Sequence, residues 1–489
     1  MDDPCEVELK LEFEASDRER LLRAMALDAS DVTTKQLRAG YFDTPDLALS
    51  KAGLTLRVRH DGESNRQTIK TISANAAGLF VRGEWEHTLA GEEPEIDERA
   101  GPLTALLDSR SIARLTRIFT IEVERVSGLL CGEGAEIEFA VDCGQVLAGQ
   151  RNAELCELEL ELRLGNRERL FDIARVIDAA VPLRLGVRSK SARGYELIGG
   201  PSDAGIKAAP VQLDRALSVG DAFVEIAGAC IRHYRLNEAL LLGSGAAEAV
   251  HQARVALRRL RSAFSLFSPL LKHDERAAMF AAELRWLAAE FGAVRDIDVL
   301  LPRLGTAEQD VVRRIRQERL AHLCTLLNSG RVRLLPIDLV DWLAIGAWRC
   351  HPGDANMTAE PVRRFASKRL DKLFRRIRHD GRKLDKLDDS HRHDVRKDAK
   401  RLRYAAEFFV GLYPGRKARR RLDKFLCRLE NLQDELGKLN DMAAEPVLLA
   451  QLGLEASAPL SEPRARKGAI REAANCFDAL VDVKRFWRA

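Results

Sequence analysis

A chain of 489 residues is too long for one hydrophobic core, so we expect two or three domains. Its net charge of +4 hides an asymmetry: residues 1–200 hold 26 Lys and Arg against 36 Asp and Glu, and the remainder holds 52 against 38. No CxxC pair occurs among the nine cysteines, which argues against a disulfide framework or a structural zinc site. The sequence shows no secretory h-region and no apolar run of ~18 residues, so we expect a cytoplasmic protein without a membrane span.

The first 197 residues alternate with period two, which predicts antiparallel strands. The clearest strand segments are Glu6–Phe13, Leu54–Arg59, Ile118–Val126, Ala135–Val141 and Cys156–Leu164. The expected short helices are Asp17–Leu27, Leu103–Leu107 and Asn166–Ala180. Gly199–Gly205 has linker composition, and from Val211 onward a 3.6-residue period predicts long amphipathic helices. The pattern indicates a multidomain α+β protein with domains at 1–200 and 210–489, joined by a linker at 201–209.

Several predicted strands carry charge along one face, because alternate residues of a strand share a face. The charged sets are Glu6, Glu8 and Lys10; Arg57 and Arg59; Arg82, Glu84 and Glu86; and Glu157, Glu159 and Glu161. Any one of these charged faces could simply be exposed to solvent. Four charged faces in one domain favour a closed barrel with the charged residues inside. In such an interior, carboxylates suit Mg²⁺ or Mn²⁺, and Arg and Lys suit phosphoryl oxygens.

Glu6, Glu8 and Lys10 form the pattern ExExK. Six further segments follow it along the chain in a fixed order. They are Tyr41–Leu49, Leu56–Arg59, Ile69–Lys70, Arg82–Glu86, Cys156–Glu161 and Ser189–Tyr195. Together they resemble the CYTH family, the triphosphate tunnel metalloenzymes, over residues 1–197. The resemblance implies an antiparallel eight-stranded β tunnel with flanking helices, which binds triphosphate compounds with a divalent metal. We interpret residues 42–45 as turn structure, since Asp-Thr-Pro favours turn initiation.

The resemblance also assigns roles by position. Phosphate contacts would be Lys10, Arg57, Arg59, Lys70, Arg82, Arg125, Arg184 and Lys190. Metal ligands would be Glu6, Glu8, Glu157, Glu159 and Glu161, and Glu138 and Asp142 could complete the acidic set. Many members carry a basic residue where this chain has Ile121, which leaves the metal ligands intact but leaves substrate affinity and choice open.

The second half contains an internal repeat. The sequence from His251 to Arg261 and that from His393 to Arg403 both read H-x-x-R-x-x-x-[RK]-x-x-R. On a helix these four positions fall within an arc of about 80°. The neighbours in each stripe are themselves basic, which costs stability unless an anion binds there. Each motif is followed, after similar intervals, by an Asp at 296 or 441, so we interpret the pair as a duplication.

This half resembles the CHAD family, named for its histidines in an α-helical domain, over about residues 211–489. The match lies in the two stripes and in Leu287–Asp298. The resemblance implies two duplicated four-helix units whose basic groove binds inorganic polyphosphate. First candidates are His251, Arg254, Arg258, Arg261, His393, Arg396, Lys400 and Arg403, while Asp296, Asp298 and Asp441 would orient side chains or cap helices. For the histidines alone, a role in the core is an equal alternative.

The leading functional hypothesis combines both halves: metal-dependent hydrolysis of inorganic triphosphate to pyrophosphate and phosphate, and binding of polyphosphate, including association with polyphosphate granules. One alternative is a non-catalytic polyphosphate-binding protein. Another is a triphosphatase or cyclase that acts on thiamine triphosphate or ATP. A nucleic-acid binder is disfavoured, because aromatic residues make up 6% of the chain and do not interleave with the basic stripes.

Overall fold

The computed structural model describes residues 6–26, 29–71, 77–200, 204–351, 355–454 and 463–488. The chain divides into two compact units. The first runs to Ala204 and takes in Thr325–Gly346, and the second comprises Gly205–Cys324 and the chain from Ala347 onward. A stretch inside the predicted helical domain therefore belongs to the first unit.

The first unit is built on one curled antiparallel sheet. Its strands are β1 (Glu6–Glu12), β2 (Ala29–Asp43), β3 (Leu54–His60), β4 (Asn65–Thr71), β5 (Leu79–Arg82), β6 (Glu84–Leu89), β7 (Thr116–Gly132), β8 (Ala135–Ala148), β9 (Arg151–Leu164) and β10 (Arg184–Leu185). They pair in the order β10-β1-β9-β8-β7-β2-β3-β4-β6, and β5 pairs with β1. Only Gly83 separates β5 from β6. Because β5 pairs with β1 and β6 pairs with β4, this segment connects the two end regions of the strand order.

The predicted eight-stranded tunnel is confirmed as an architecture. When β5 and β6 are taken as one strand interrupted at Gly83, eight strands remain besides the two-residue β10. The alternation predicted from the sequence also holds: Leu9, Leu11, Leu158 and Leu160 are fully buried on one face. The opposite face carries the charges, because directly paired residues of neighbouring strands share a face.

Helices flank the sheet at α1 (Arg18–Ala26), α2 (Ala48–Lys51), α3 (Leu103–Leu106), α4 (Ser109–Ile112), α5 (Glu168–Ala180) and α6 (Lys190–Gly199). Helix α6 lies against β7, β8 and β9. It begins where the Ser189 hydroxyl accepts a bond from the Ala192 amide at 3.1 Å. A Cβ at Gly194 would lie 2.2 Å from the Phe119 ring, so glycine permits this close packing. The cap and the glycine together fix Lys190 at the helix start.

The second unit is all-helical. Its helices are α7 (Val219–Ser244), α8 (Ala247–Leu266), α9 (Ser268–Leu271), α10 (Glu275–Leu300) and α11 (Thr306–Leu327), then, after α12 (Gly330–Ile345) of the first unit, α13 (Ala355–Thr358), α14 (Val362–Asp380), α15 (Asp389–Phe409), α16 (Arg416–Gln451) and α17 (Pro463–Val481). The eight long ones form two sets of four, α7, α8, α10, α11 and α14–α17, as the duplication predicts. The basic stripes lie on the second helix of each set, and α8 contacts α15.

Helix α12 is held in the first unit by buried ion pairs. Arg333 donates to both carboxylate oxygens of Asp178 on α5, each at 3.0 Å, and the Asp178 side chain is 4% exposed. We expect Arg333→Met to lower the free energy of unfolding by roughly 3 kcal/mol, since it leaves a buried carboxylate without its cation. Denaturant titration would measure this, and the double variant Asp178→Asn/Arg333→Met should recover part of the loss. Equal losses in both variants would contradict this explanation.

Within the described residues, no helix is long and apolar enough to span a membrane.

Candidate functional sites

Three carboxylates converge on the charged face of the curled sheet. They belong to Asp142 on β8 and to Glu157 and Glu159 on β9, and one oxygen of each lies within 4.8 Å of the others. The strand register explains their meeting, because Asp142 is directly opposite Glu157 and Glu159 is directly opposite Lys10 of β1. Asp142 and Glu157 are fully buried.

Three cations lie among these carboxylates. Lys10 Nζ is 2.8 Å from Glu157 Oε1 and also contacts Glu159. Lys190 Nζ, from the start of α6, is 2.7 Å from Asp142 Oδ2 and 2.8 Å from Glu159 Oε1. Arg125 on β7 binds both oxygens of Asp142, at 2.7 and 2.6 Å, and Glu159 at 2.9 Å. The cluster thus balances three negative against three positive charges.

These pairings keep Lys10, Asp142 and Glu159 ionised. Burial alone would lower the pKa of Lys10, but Glu157, Glu159 and Glu8 hold it well above its usual range. Burial alone would raise the pKa of Glu159, but Lys10, Lys190 and Arg125 hold it well below its usual range. The pKa of Asp142 is likewise lowered by Lys190 and Arg125 against the effect of burial. The site is therefore a preformed set of charges rather than of neutral groups.

Further cations share the same face on β3 and β4. Arg57 Nη2 donates to Thr68 Oγ1 at 2.9 Å, while its buried Nε has no hydrogen-bond acceptor among the described residues. Burial, followed by the charges of Arg57 and Arg125, lowers the pKa of Arg59 to about 10. Lys70 Nζ lies 3.0 Å from Glu84. The unpaired Nε donor of Arg57 lies beside Arg59, whose charge is repelled by the neighbouring arginines. A bound anion would accept a bond from Arg57 and reduce this repulsion.

The other predicted tunnel residues lie as follows. Glu8 lies 3.3 Å from Lys10 Nζ, at the edge of the cluster. Glu161 pairs with Arg163 at 2.6 Å, as does Glu138, so neither is among the three converging carboxylates. Arg184 donates to Asn328 at 2.6 Å. For Glu6 and Arg82 the structure gives the pairing of their strands, but their side chains lie outside the described residues.

Ile121 does not leave a vacant place in the interior. It is 2% exposed and belongs to an apolar cluster with Ala39 and Val146, against which Tyr195 and Leu197 of α6 pack. A hydrophobic side chain at this position therefore supports the helix that carries Lys190.

Asp43 has a role that the sequence reasoning missed. The turn predicted at residues 42–45 lies further along: Phe42 and Asp43 are the last residues of β2, and the Leu47 amide closes a turn on the Thr44 carbonyl. Asp43 is fully buried and accepts bonds from the Leu49 and Ser50 amides at 2.9 and 3.1 Å. It also accepts a bond from the Tyr195 hydroxyl at 2.9 Å, and burial and Asp43 together raise the pKa of Tyr195. Asp43 thereby anchors α6, and the D-T-P pattern alone did not indicate this partner.

The acidic cluster has the chemistry to hold a divalent cation. Hard cations such as Mg²⁺ prefer carboxylate oxygens. Glu157 Oε2 is buried and has no hydrogen-bond partner among the described residues, so it retains a free acceptor. The donor set Asp142, Glu157 and Glu159 therefore fits such an ion, with Glu8 as a neighbouring carboxylate.

The second unit gathers cations between the two stripes. Arg258 Nε on α8 donates to the buried hydroxyl of Tyr404 on α15 at 2.7 Å, which joins the two repeats. Arg254, also on α8, lies 3.9 Å from Asp296. On α15, the buried Nε of Arg396 has no acceptor among the described residues. We call Arg254, Arg258, Arg396 and Lys400 the groove cations.

Burial and neighbouring cations lower the pKa of three of the groove cations, Arg254, Arg396 and Lys400. Burial, then Arg258, Arg396 and Arg254, lower the pKa of Lys400 to about 6. Burial, then Arg258 and Arg254, lower the pKa of Arg396. Asp296 also responds to this environment, since burial and Asp441 raise its pKa despite Arg254. The fold therefore holds like charges close together, and Asp296 and Asp441 oppose them only in part. A bound anion would stabilise this arrangement.

The other predicted groove residues differ in surroundings. Burial and nearby arginines lower the pKa of His251, and Arg261 is exposed on α8. His393 Nδ1 lies 2.6 Å from Asn440 Oδ1. Arg403 is balanced by Glu407 at 2.9 Å and Glu430 at 3.3 Å, so its charge is already paired.

Each half of the chain matches the model of a known family. The CYTH domain model matches residues 5–195, and the CHAD domain model matches residues 225–450. The chain thus belongs to the proteins in which a CYTH domain is followed by a CHAD domain.

Among curated proteins, the inorganic triphosphatase of Haemophilus influenzae is 30% identical over 157 residues, which are 32% of this chain and 44% of that protein. The match thus spans less than half of that relative. The crystal structure of the CHAD domain from the plant Ricinus communis is 28% identical, with a TM-score of 0.45, and covers 57% of this chain and 96% of that one. A putative adenylyl cyclase from Hippeastrum, described as having a dominant triphosphatase activity, is 16% identical with a TM-score of 0.31 and covers 39% of this chain and 95% of that one.

Proposed function

We propose that the first unit hydrolyses inorganic triphosphate to pyrophosphate and phosphate with Mg²⁺ or Mn²⁺, and that the second unit binds inorganic polyphosphate. The observation that carries the first part is the convergence of Asp142, Glu157 and Glu159 with Lys10, Lys190 and Arg125 on one face of a CYTH sheet. The curated relative named an inorganic triphosphatase supports the choice of substrate.

In this proposal the two sets of charged residues have separate tasks. Asp142, Glu157 and Glu159 hold the metal, which when bound supplies charge neutralisation for the phosphoryl oxygens. Lys10 and Lys190, now paired with the carboxylates, bind phosphoryl oxygens, together with Arg57, Arg59 and Lys70. The guanidinium of Arg125 remains bidentate on Asp142 and keeps that carboxylate oriented. Cations placed before the substrate arrives stabilise the charge that develops on the leaving pyrophosphate.

A substrate panel tests this activity. Full-length protein would be assayed for phosphate release from inorganic triphosphate, thiamine triphosphate, ATP and long-chain polyphosphate, with Mg²⁺, with Mn²⁺ and with chelator. We expect inorganic triphosphate to be hydrolysed fastest and chelator to remove the activity. Faster turnover of thiamine triphosphate or ATP would contradict the choice of inorganic triphosphate as substrate. A complete lack of metal-dependent turnover would favour the alternative of a non-catalytic binding protein.

The groove cations carry the second part of the proposal. Neutralising Arg254 and Arg396 with Gln in the full chain is expected to weaken polyphosphate binding at least roughly tenfold, because two phosphate contacts are lost. Fluorescence titration with polyphosphate measures the affinity, and single-stranded DNA serves as the competing polyanion. The charge-matched control is Arg464→Gln/Lys467→Gln on the exposed first turns of α17, which should bind polyphosphate like wild type. Tighter binding of DNA than of polyphosphate would contradict the proposal.

A further inference from the structure

A second basic site lies in the helical unit, away from the repeated stripes. It is a cleft of about 320 Å³ formed by the end of α14, the first turns of α16 and the chain after α17. Five of its nine lining residues are basic, and Asp482 is its one acidic lining residue. The basic residues are Arg378, Arg421, Lys484, Arg485 and Arg488. Residues 481–488 lie beyond the stretch that the CHAD model matches.

Residues 485–488 are anchored by hydrogen bonds and by packing of their aromatic rings. Asp371 on α14 accepts bonds from Arg485 at 2.9 Å, from Arg488 at 2.5 Å and from the Trp487 indole at 2.9 Å. Phe486 and Trp487 are buried, and their rings pack on that of Phe425 in α16 with centroids 5.8 and 5.3 Å apart. The exposed side chain of Lys484 thus belongs to an anchored segment.

Among the described residues, the charges of the cleft are not balanced. Asp371 and Asp482 supply two negative charges against five positive ones. Arg378 and Lys484 are exposed, and neither has an acidic partner within 4 Å among the described residues. An excess of about three positive charges around a concave surface favours a polyanion with closely spaced charges.

The lining distinguishes between phosphate ligands. A nucleotide or single-stranded nucleic acid would need an aromatic face on which a base can stack. The aromatic residue of the lining, Phe374, is 5% exposed, and its ring is engaged by Trp487 and by Arg485. The cleft therefore offers guanidinium and ammonium donors but no free ring, which suits a chain of phosphoryl groups without bases.

We propose that this C-terminal cleft is a second binding site for inorganic polyphosphate, with Arg378 and Lys484 as its free phosphate contacts. The inference rests on the proposed polyphosphate-binding function and adds a site to it. One polymer chain that engages both the groove and the cleft is held more tightly than a chain held at one of them.

The test is the double variant Arg378→Gln/Lys484→Gln in the full chain. Titration with long-chain polyphosphate at several salt concentrations should show roughly tenfold weaker binding, and the slope of log affinity against log salt should fall in magnitude by about one to two, as expected for two lost phosphate contacts. The control Arg464→Gln/Lys467→Gln removes the same charge from the opposite end of α17 and should leave both values unchanged. An unchanged circular dichroism melting curve establishes that the variants are folded.

The outcomes separate this inference from the proposed function. If the groove variant loses binding and the cleft variant binds like wild type, the cleft proposal is wrong and the groove function stands. If wild type binds polyphosphate and neither variant differs from it, both assigned sites are wrong. If wild type does not bind polyphosphate, the polyphosphate-binding function itself fails. If the cleft variant loses affinity for single-stranded DNA but not for polyphosphate, the cleft is a nucleic-acid site and the proposal is overturned.

Discussion

Glu157→Gln is expected to reduce metal-dependent hydrolysis of inorganic triphosphate by roughly 10²- to 10³-fold, a loss typical of removing one preorganised electrostatic group. The substitution keeps the shape of the side chain but removes its charge. Glu157 is fully buried, contacts Lys10 and Lys190, and has one oxygen without a hydrogen-bond partner among the described residues. It is thus the carboxylate of the cluster with the most capacity for a metal ion. Steady-state phosphate release with saturating Mg²⁺ or Mn²⁺ measures the effect.

A matched control lies on the same strand. Glu154 on β9 is exposed and has the opposite parity to Glu157, so Glu154→Gln makes the same chemical change on the other face. We expect it to retain wild-type hydrolysis. Polyphosphate binding should be unchanged in both variants, because the groove cations lie in the other unit, and this reports that the protein is folded. Full activity in Glu157→Gln would remove the acidic cluster from the proposed mechanism.

Strand parity was sufficient to predict which face of the sheet is charged, since that inference needs only neighbouring residues. It could not predict which carboxylates converge. Glu161 has the same parity as Glu157 and Glu159, but Arg163 follows two positions later on the same face and pairs with it. That alternation was visible in the sequence. The insertion of Lys190 between Asp142 and Glu159 was not, because it depends on α6 packing against β7–β9.

Helical periodicity has a similar limit. It predicted the helices of the second half and placed each basic stripe on one helix face. It gave no reason to separate α12 from its neighbours, because an amphipathic pattern shows that a helix has a buried face but not which core buries it. The ion pairs of Arg333 with Asp178 and of Arg175 with Asp338 and Asp341 provide that information, and they join residues more than 150 positions apart. The same applies to Tyr404 and Arg258, which lie 146 positions apart and whose hydrogen bond joins the two repeats.

Polyphosphate binding is expected to weaken by about 50-fold between pH 6 and pH 8, because the free groove must take up a proton to present its full charge. Lys400, with a pKa of about 6, is mostly neutral at pH 7.5 in the free protein. The groups that set this pKa besides burial are Arg254 and Arg258 on α8 and Arg396 on α15, with Asp441 on α16 opposing them. A bound polyanion reverses the balance and raises the pKa of Lys400, so binding is coupled to proton uptake and is tighter at lower pH.

Titrations of affinity across this pH range, together with calorimetry in buffers of different ionisation enthalpy, measure the coupling. Lys400→Arg should bind more tightly at pH 8 and show a much flatter pH profile, since a guanidinium stays charged there. Lys397→Arg is the control on the same helix: Lys397 is exposed and pairs with Asp394 at 2.6 Å, so its replacement should preserve the wild-type profile. The slope that persists in Lys400→Arg reports groups other than Lys400, among them His251. If that slope equals the wild-type slope, groups other than Lys400 carry the pH dependence, because no other change in the groove distinguishes the two proteins.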